Sequence, residues 1–231
     1  MKTLPVGLQV YSIRDMLENT PDQFAPVMRR VREMGYDGVE LAGLYGLQPE
    51  FIRDTLHEIG LEAFSAHVPL ADMMADPEKV ANDYTTIGCK YIVVPYLPDE
   101  YRPLTPGYEK VISEMKRIGQ VMRNHGLTML YHNHDFEFVK LPDGSYGFDD
   151  IYKRVPADLL SAEPDTCWIK VAGENPAEYV KKYAGRCPVV HLKDFYKEGN
   201  PKNLYKLIGI DAEESAEDAS AVSSNGDYQP S

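Results

Sequence analysis

Short apolar runs of strand length alternate with longer segments of helical period along most of the chain. The apolar runs predict seven strands, at 6–11, 38–42, 62–67, 91–95, 128–133, 159–165 and 188–193. This alternation is typical of βα units, whose strands form a parallel sheet. We therefore predict an α/β fold built from at least seven such units.

Start signals mark several of the intervening helices. The segment 20–23 reads Thr-Pro-Asp-Gln, a capping box with proline at the first helical position. The pairs Asp76-Pro77 and Asn175-Pro176 repeat this arrangement. Spacings of three and four in the first helix predict a buried face and a solvated face. The buried face would hold Phe24, Val27, Met28 and Val31, and the solvated face Arg29, Arg30 and Arg32.

Seven or more βα units form either an open doubly wound sheet or a closed barrel. The first βα turn contains neither GxGxxG nor GxxxxGK[ST], so the usual phosphate-binding signature of the doubly wound sheet is missing. Polar residues instead follow the predicted strands at their C-terminal ends, which is the active-site face of a TIM barrel. They are Gln9, Tyr11, Glu40, His67, the run 131–137, Glu163, Asp165, His191 and Lys193.

The fifth predicted strand carries the densest group of reactive side chains. Its apolar run ends in the sequence Tyr-His-Asn-His-Asp-Phe-Glu over residues 131–137. Histidine and carboxylate groups at this density can bind a metal ion or transfer protons. Alternation would place His132 and His134 on one side of the strand. The alternative interpretation is a polar loop with surface histidines.

The next two strands add carboxylates and one histidine. Ser161, Glu163 and Asp165 share one face of strand six, where buried carboxylates need a cation or hydrogen bonds. The alternative is that Asp165 caps a helix while Glu163 forms a salt bridge. His191 ends strand seven and by itself is more often a satisfied core histidine. A histidine with two carboxylates from neighbouring strands, however, suits a divalent ion.

Composition and charge narrow the function classes. The 231 residues include 24 basic and 36 acidic side chains, a formal net charge of −12, which argues against binding to nucleic acid or to an anionic membrane. Cys89, Cys167 and Cys187 are widely spaced and suggest neither a disulfide framework nor a zinc knuckle. The sequence shows no signal-peptide or membrane-spanning pattern. We therefore expect a cytoplasmic enzyme or binding protein.

The acidity is concentrated at the C-terminus. Residues 211–231 contain six acidic and no basic side chains, so they account for half of the net charge. This segment is rich in serine and alanine and poor in large apolar groups. By itself it cannot bury enough apolar surface to offset the conformational entropy lost on ordering. We predict one domain at 1–210 and a loosely ordered acidic tail at 211–231.

Five motifs together resemble the sugar phosphate isomerase/epimerase family with the xylose isomerase-like TIM barrel. They are GLQVYSIRD, YDGVELAG, YHNHDFEF, EPDTCWIKVAGENPAEYVKKY and VVHLKDF. The resemblance implies a (β/α)8 barrel that holds a divalent metal ion, Mn, Co, Mg or Zn. It assigns the first three ligands to Glu137, Asp165 and His191. Pro164 departs from the branched apolar residue that the family commonly has between the strand-six Glu and Asp.

The fourth ligand that the resemblance implies, a glutamate on strand eight, has no counterpart in this sequence. We therefore expect a xylose isomerase-like TIM barrel with seven recognisable βα units and a missing eighth. Such a barrel exposes the edges of strands one and seven. Three explanations remain open: the tail compensates, a second protomer fills the gap in a homo-oligomer, or the sequence is a truncated relative. We favour truncation.

The resemblance also implies a reaction. Related enzymes act at carbons next to the carbonyl of a sugar or inositol-type substrate, through an enediolate that the metal stabilises. Glu137 would then be the catalytic acid/base as well as a ligand. Substrate contacts are expected from Tyr11, Glu40, His67, His132, His134, Trp168 and Lys193, with Trp168 as an apolar wall.

Two other functions stay open. A catalytically inactive sugar-binding or scaffold protein would explain the missing strand. An abasic-site endonuclease of the same superfamily would need a basic surface, which the acidic charge disfavours. The expected partner is a small sugar or polyol, and the lack of an arginine cluster near the strand ends argues against a phosphorylated substrate.

Overall fold

Six strands form one parallel sheet in the part of the chain that the structure describes. A computed structural model describes residues 4–17 and 21–194. The strands are β1 (Gly7–Gln9), β2 (Gly38–Leu41), β3 (Glu62–His67), β4 (Tyr91–Val94), β5 (Thr128–His132) and β6 (Ser161–Glu163). They are paired in the order β1-β2-β3-β4-β5-β6, and every pair is parallel. Because the order never reverses, the sheet has barrel topology rather than doubly wound topology.

Helices connect each strand to the next. They are α1 (Phe24–Glu33), α2 (Pro49–Ile59), α3 (Leu70–Ala75), α4 (Pro77–Ile87), α5 (Tyr108–Asn124), α6 (Gly147–Arg154), α7 (Thr166–Val171) and α8 (Pro176–Lys182). Short 3-10 segments lie at Val10–Met16, Pro21–Gln23, Asp99–Tyr101 and Phe136–Phe138. None of the helices in the described ranges is long and apolar enough to cross a membrane.

The helix predictions hold at their caps and faces. Asp76 accepts a hydrogen bond from the Lys79 N–H at 2.9 Å, and Asn175 accepts one from the Ala177 N–H at 3.0 Å. Helix α1 begins at Phe24, after the 3-10 turn. Its buried side is formed by the four apolar residues predicted, and its three arginines are exposed. The predicted cap Thr20 lies outside the described residues.

The core lies between the sheet and the helices. Helix α5 contributes Val111, Ile112, Met115, Ile118 and Met122, all buried, at helical spacing. Gly119 on the same helix allows close approach to the loop before β6, since a Cβ there would lie 2.4 Å from the Leu159 carbonyl oxygen. Interior packing of this density fixes the sheet against the helices and thereby the positions of the strand ends.

The prediction of a seventh strand at 188–193 is wrong. This segment forms only an isolated parallel bridge between Asp165 and His191. The His191 N–H donates to the Pro164 carbonyl at 3.0 Å. Pro164 has no N–H with which to continue the ladder, so the pairing stops after one bridge. His191 is nevertheless held beside the end of β6.

Side-chain contacts from Arg186 hold the start of this segment. The guanidinium donates to three main-chain carbonyls, those of Leu160, Tyr152 and Val155, at 2.6–2.9 Å. The Arg186 carbonyl accepts from the Ala162 N–H at 2.7 Å. The segment is thus tied to β6 and to α6. The predicted tail at 211–231 and the expected absence of an eighth strand both fall outside the described residues.

Candidate active site

Polar side chains from five strands meet at the C-terminal end of the sheet. Gln9 ends β1, His67 ends β3, His132 ends β5 and Glu163 ends β6, while Glu40 is the penultimate residue of β2. The carboxyl ends of parallel strands lie at the same edge of a sheet, so residues far apart in sequence become neighbours there. Glu40, His132 and Glu163 are buried, and Glu163 has no exposed surface.

Hydrogen bonds and ion pairs join these residues in a row. Gln9 Nε2 donates to Glu40 Oε1 at 2.6 Å, and the same oxygen lies 3.0 Å from His67 Nε2. His67 Nε2 is also 2.9 Å from Glu163 Oε1. His132 Nδ1 lies 3.2 Å from that oxygen. The row therefore links five of the strands.

The two carboxylates control the charge of His67. Burial alone would lower the pKa of His67, but Glu40 and Glu163 outweigh burial and raise the pKa to about 10. Two buried carboxylates beside one imidazole need this positive charge, since unpaired buried charges are costly. His67 is therefore an imidazolium ion at neutral pH.

A second group forms around Asp165, the residue after Pro164. Asp165 Oδ1 accepts from the Trp168 N–H at 2.9 Å and caps α7. Its Oδ2 lies 3.3 Å from His191 Nδ1 and 3.7 Å from His132 Nε2. The Asp165 N–H donates to the Asn133 side chain at 2.9 Å. Both parts of the alternative interpretation of strand six are confirmed, because Asp165 caps a helix and Glu163 forms an ion pair.

Two overlapping sets of residues could hold a metal ion. One is His67, His132 and Glu163, and the other is His132, Asp165 and His191, with the ligand atoms of each set within 4.8 Å of one another. Three buried atoms in these sets make no hydrogen bond within the described ranges: Glu163 Oε2, Asp165 Oδ2 and His191 Nδ1. Buried polar atoms are normally satisfied, so a cation at this place would fit the side chains present.

The pKa shifts of His132 and Asp165 keep these two side chains in the forms that bind a cation. Burial lowers the pKa of His132 well below the usual value, and the neighbouring His191 and His67 lower it further. Burial alone would raise the pKa of Asp165, but His191, His132 and the Trp168 N–H together lower it. A neutral imidazole and an ionised carboxylate are the protonation states that bind metal.

Glu137, predicted as a ligand and as the catalytic carboxylate, lies outside both sets. Its side chain is fully buried in the 3-10 segment after β5. One carboxyl oxygen accepts from the Tyr131 hydroxyl and the other from the His134 N–H at 2.8 Å. Burial raises the pKa of Glu137 to about 8, and these hydrogen bonds reduce the rise. The assignment of Glu137 stays a prediction.

The remaining predicted residues are His134, Trp168, Lys193 and Tyr11, and one of them, His134, contacts His132 directly. His134 is buried, with its ring 5.3 Å from that of His132 and 5.0 Å from that of Trp168. Trp168 is fully buried, and Lys193 Nζ lies 4.9 Å above its ring. Tyr11 follows β1, where its N–H donates to Gln9 and Arg14 covers its ring at 4.3 Å.

The structure thus brings together Glu40, His67, His132, Asp165 and His191 from the predicted list. Sequence reasoning missed Glu163 as a member of the site, although it placed this carboxylate on the same face as Asp165. It also missed that His132 contacts both sets. The available signal was the Glu-x-Asp spacing on strand six, which puts two carboxylates at the end of one buried strand.

Comparison with known proteins decides the family. The profile described as "Xylose isomerase-like TIM barrel" matches residues 28–215. The chain belongs to the xylose isomerase-like TIM barrel family. The expected family and fold class are therefore confirmed.

The relatives of this chain include dehydratases and isomerases/epimerases. The chain is 24% identical over 199 residues to an inosose dehydratase of Geobacillus kaustophilus, an alignment that covers 76% of this chain and 62% of the relative. A sugar phosphate isomerase/epimerase from Parabacteroides distasonis has the same fold, with a TM-score of 0.72, 20% identity and coverage of 90% and 83%. A xylose isomerase-like TIM barrel protein from Mycobacterium smegmatis in complex with magnesium gives a TM-score of 0.64 at 16% identity, with coverage of 87% and 78%.

Proposed function

We propose that the protein is a divalent-metal-dependent isomerase, epimerase or dehydratase that acts next to the carbonyl of a sugar or inositol-type substrate. The supporting observation is the convergence of His132, Asp165 and His191 within 4.8 Å at the C-terminal end of the sheet. Asp165 Oδ2 and His191 Nδ1 are buried there with their hydrogen-bonding capacity unused by the described residues. Similarity to inosose dehydratases supports a polyol-derived ketone as the substrate class.

His132, Asp165 and His191 are the proposed ligands. Of the four metals expected, two imidazoles with one carboxylate suit Zn, Co and Mn better than Mg, which prefers oxygen ligands. A divalent cation supplies Lewis-acid polarisation of a carbonyl, which favours loss of a proton from the adjacent carbon. Among the chain's own groups, Glu137 is the proposed proton-transfer residue, because a carboxyl with a pKa of about 8 gains and loses its proton near neutral pH. Proposed substrate contacts are Tyr11, Glu40, His67, His134, Trp168 and Lys193.

Metal binding provides the first test. We expect Mn²⁺ to bind the full chain in isothermal titration calorimetry, and Asp165→Asn and His191→Ala to weaken binding at least about 100-fold, more than loss of an outer partner does. Asp150→Asn is a matched control, since Asp150 is a buried carboxylate that accepts from the Tyr108 hydroxyl at 3.0 Å and lies in neither set. Equal affinity in all these proteins would contradict the ligand assignment, and weakening by Glu137→Gln would restore that residue as a ligand.

Proton exchange provides the second test. With Mn²⁺ or Co²⁺ present, we expect the protein to exchange the hydrogen next to the carbonyl of an inosose or ketose in D₂O, followed by proton NMR. Metal binding without exchange across a panel of such substrates would favour the sugar-binding or scaffold alternative. Cytoplasmic location and self-association stay predictions.

A further inference from the structure

The two candidate metal sets share one residue, His132, and each of its ring nitrogens faces the carboxylate of a different set. Nδ1 lies 3.2 Å from Glu163 Oε1, and Nε2 lies 3.7 Å from Asp165 Oδ2. A neutral imidazole has one N–H and one lone pair, so it donates from one nitrogen and binds a metal ion with the other. The contacts of the two nitrogens therefore decide which set can use His132 as a ligand.

The Glu163 side of His132 has hydrogen-bond geometry. An ionised carboxylate only accepts, so a ring nitrogen 3.2 Å from Glu163 Oε1 carries hydrogen. The same argument applies to His67, whose Nε2 lies 2.9 Å from Glu163 and 3.0 Å from Glu40. The nitrogens of His67 and His132 that face Glu163 are thus N–H donors. Among the buried atoms of this set, only Glu163 Oε2 is left without a hydrogen bond in the described residues.

The contact between His132 Nε2 and Asp165, in contrast, is not a hydrogen bond. The 3.7 Å between His132 Nε2 and Asp165 Oδ2 is too long for a hydrogen bond. Asp165 Oδ2 and His191 Nδ1 also lack hydrogen-bond partners in the described part of the chain. With a lone pair on Nε2, His132 would join Asp165 Oδ2 and His191 Nδ1, which lie 3.3 Å apart, as a third possible ligand atom of this set.

We propose that Glu163 is a positioning residue that holds His132 in the Nδ1–H tautomer, so that its Nε2 lone pair joins Asp165 and His191 in binding a single divalent ion. The proposal rests on the proposed metal site. His67 pairs with Glu40 and Glu163 and keeps the Glu163 carboxylate in place without binding metal itself. Metal-binding histidines commonly donate their other N–H to a carboxylate in this way, which fixes the ring and increases its basicity.

Two measurements on the full chain test this proposal. In nitrogen-detected histidine NMR of metal-free protein, we expect His132 to show the Nδ1–H tautomer, with the assignment made by comparison with His132→Gln. In calorimetry with Zn²⁺ as the probe, we expect one ion per chain and a loss of affinity of about 10- to 100-fold in Glu163→Gln. Asp150→Asn should retain the wild-type affinity, which separates a local effect from the removal of any buried carboxylate.

The outcomes separate this inference from the proposed function. An Nε2–H tautomer in the wild-type protein, or unchanged Zn²⁺ affinity in Glu163→Gln, overturns the positioning role while the metal site stands. Two ions per chain, with one lost in Glu163→Gln, would make Glu163 a ligand of a second ion instead. Absence of Zn²⁺ binding in the wild-type protein overturns the metal site itself. If Glu163→Gln fails to fold, the tautomer of His132 and the number of Zn²⁺ ions bound per chain, both measured on the wild-type protein, still test the proposal.

Discussion

Replacing Glu137 by glutamine is expected to make the stability of the protein less dependent on pH. The folded pKa of Glu137 is about 8, against an ordinary value of 4.5, because its side chain is fully buried. The folded protein therefore retains a proton that the unfolded chain releases in this range. The resulting stabilisation is complete below about pH 4.5 and is lost as the pH rises through about 8.

The size of the effect follows from the difference between the two pKa values. At 1.36 kcal/mol for each pKa unit, the full difference corresponds to about 5 kcal/mol. Between pH 5.5 and pH 7.5 the wild-type protein should lose about 2.5 kcal/mol of unfolding free energy relative to Glu137→Gln. Glutamine imitates the protonated acid. Its side-chain oxygen can accept from the His134 N–H, while its amide N–H donates to the Tyr131 hydroxyl oxygen, so the direction of that second hydrogen bond is reversed.

Urea denaturation at the two pH values, in EDTA, measures this difference. When the unfolding free energy of the variant is subtracted from that of the wild type, the contributions of all other titrating groups cancel, because both proteins share them. Glu58→Gln, a change at a surface carboxylate paired with Arg29, serves as the control and should give no comparable slope. A wild-type-minus-variant difference that stays constant within about 0.5 kcal/mol, well below the predicted change, would refute the reasoning. It would show that Glu137 is ionised in the folded protein, as a metal ligand would be.

Three further predictions follow from other contacts. His132→Ala should abolish Mn²⁺ binding in calorimetry, whereas His125→Ala, at a surface histidine, should leave it intact. Gly119→Ala should lower the unfolding free energy measured by urea denaturation by about 1–3 kcal/mol, because the new methyl group would lie 2.4 Å from the Leu159 carbonyl oxygen. A smaller loss would mean that α5 can shift away from Leu159. Arg186→Met should lower the unfolding free energy by about 3 kcal/mol, since three main-chain carbonyls each lose a hydrogen bond worth about 1 kcal/mol. Unchanged stability in urea would show that water molecules replace these three hydrogen bonds.

Local signals in the sequence located most of the secondary structure. Apolar runs bounded by turn residues identified all six strands of the sheet, and the caps at Asp76 and Asn175 lie where the side chains predicted them. These features depend on residues within one turn of each other, so periodicity and capping chemistry are sufficient. The prediction of a seventh strand was wrong because a strand needs hydrogen bonds from a neighbouring strand. Pro164, at the neighbouring position, has no N–H to donate to the ladder.

The sequence by itself determined which reactive side chains lie at the ends of strands, and hence that a site forms at one edge of the sheet. Only the tertiary structure decided which of them meet. His67 and Glu163 are 96 positions apart and are joined at 2.9 Å, while Glu137, five residues after His132, is placed outside both candidate sets. Sequence spacing cannot give such pairings, because they depend on the register of neighbouring strands and on where each strand ends. His132 is an example. Its place at the end of β5 follows from the sequence, but the role of each ring nitrogen depends on Glu163 and Asp165, which lie beside it only in the folded protein.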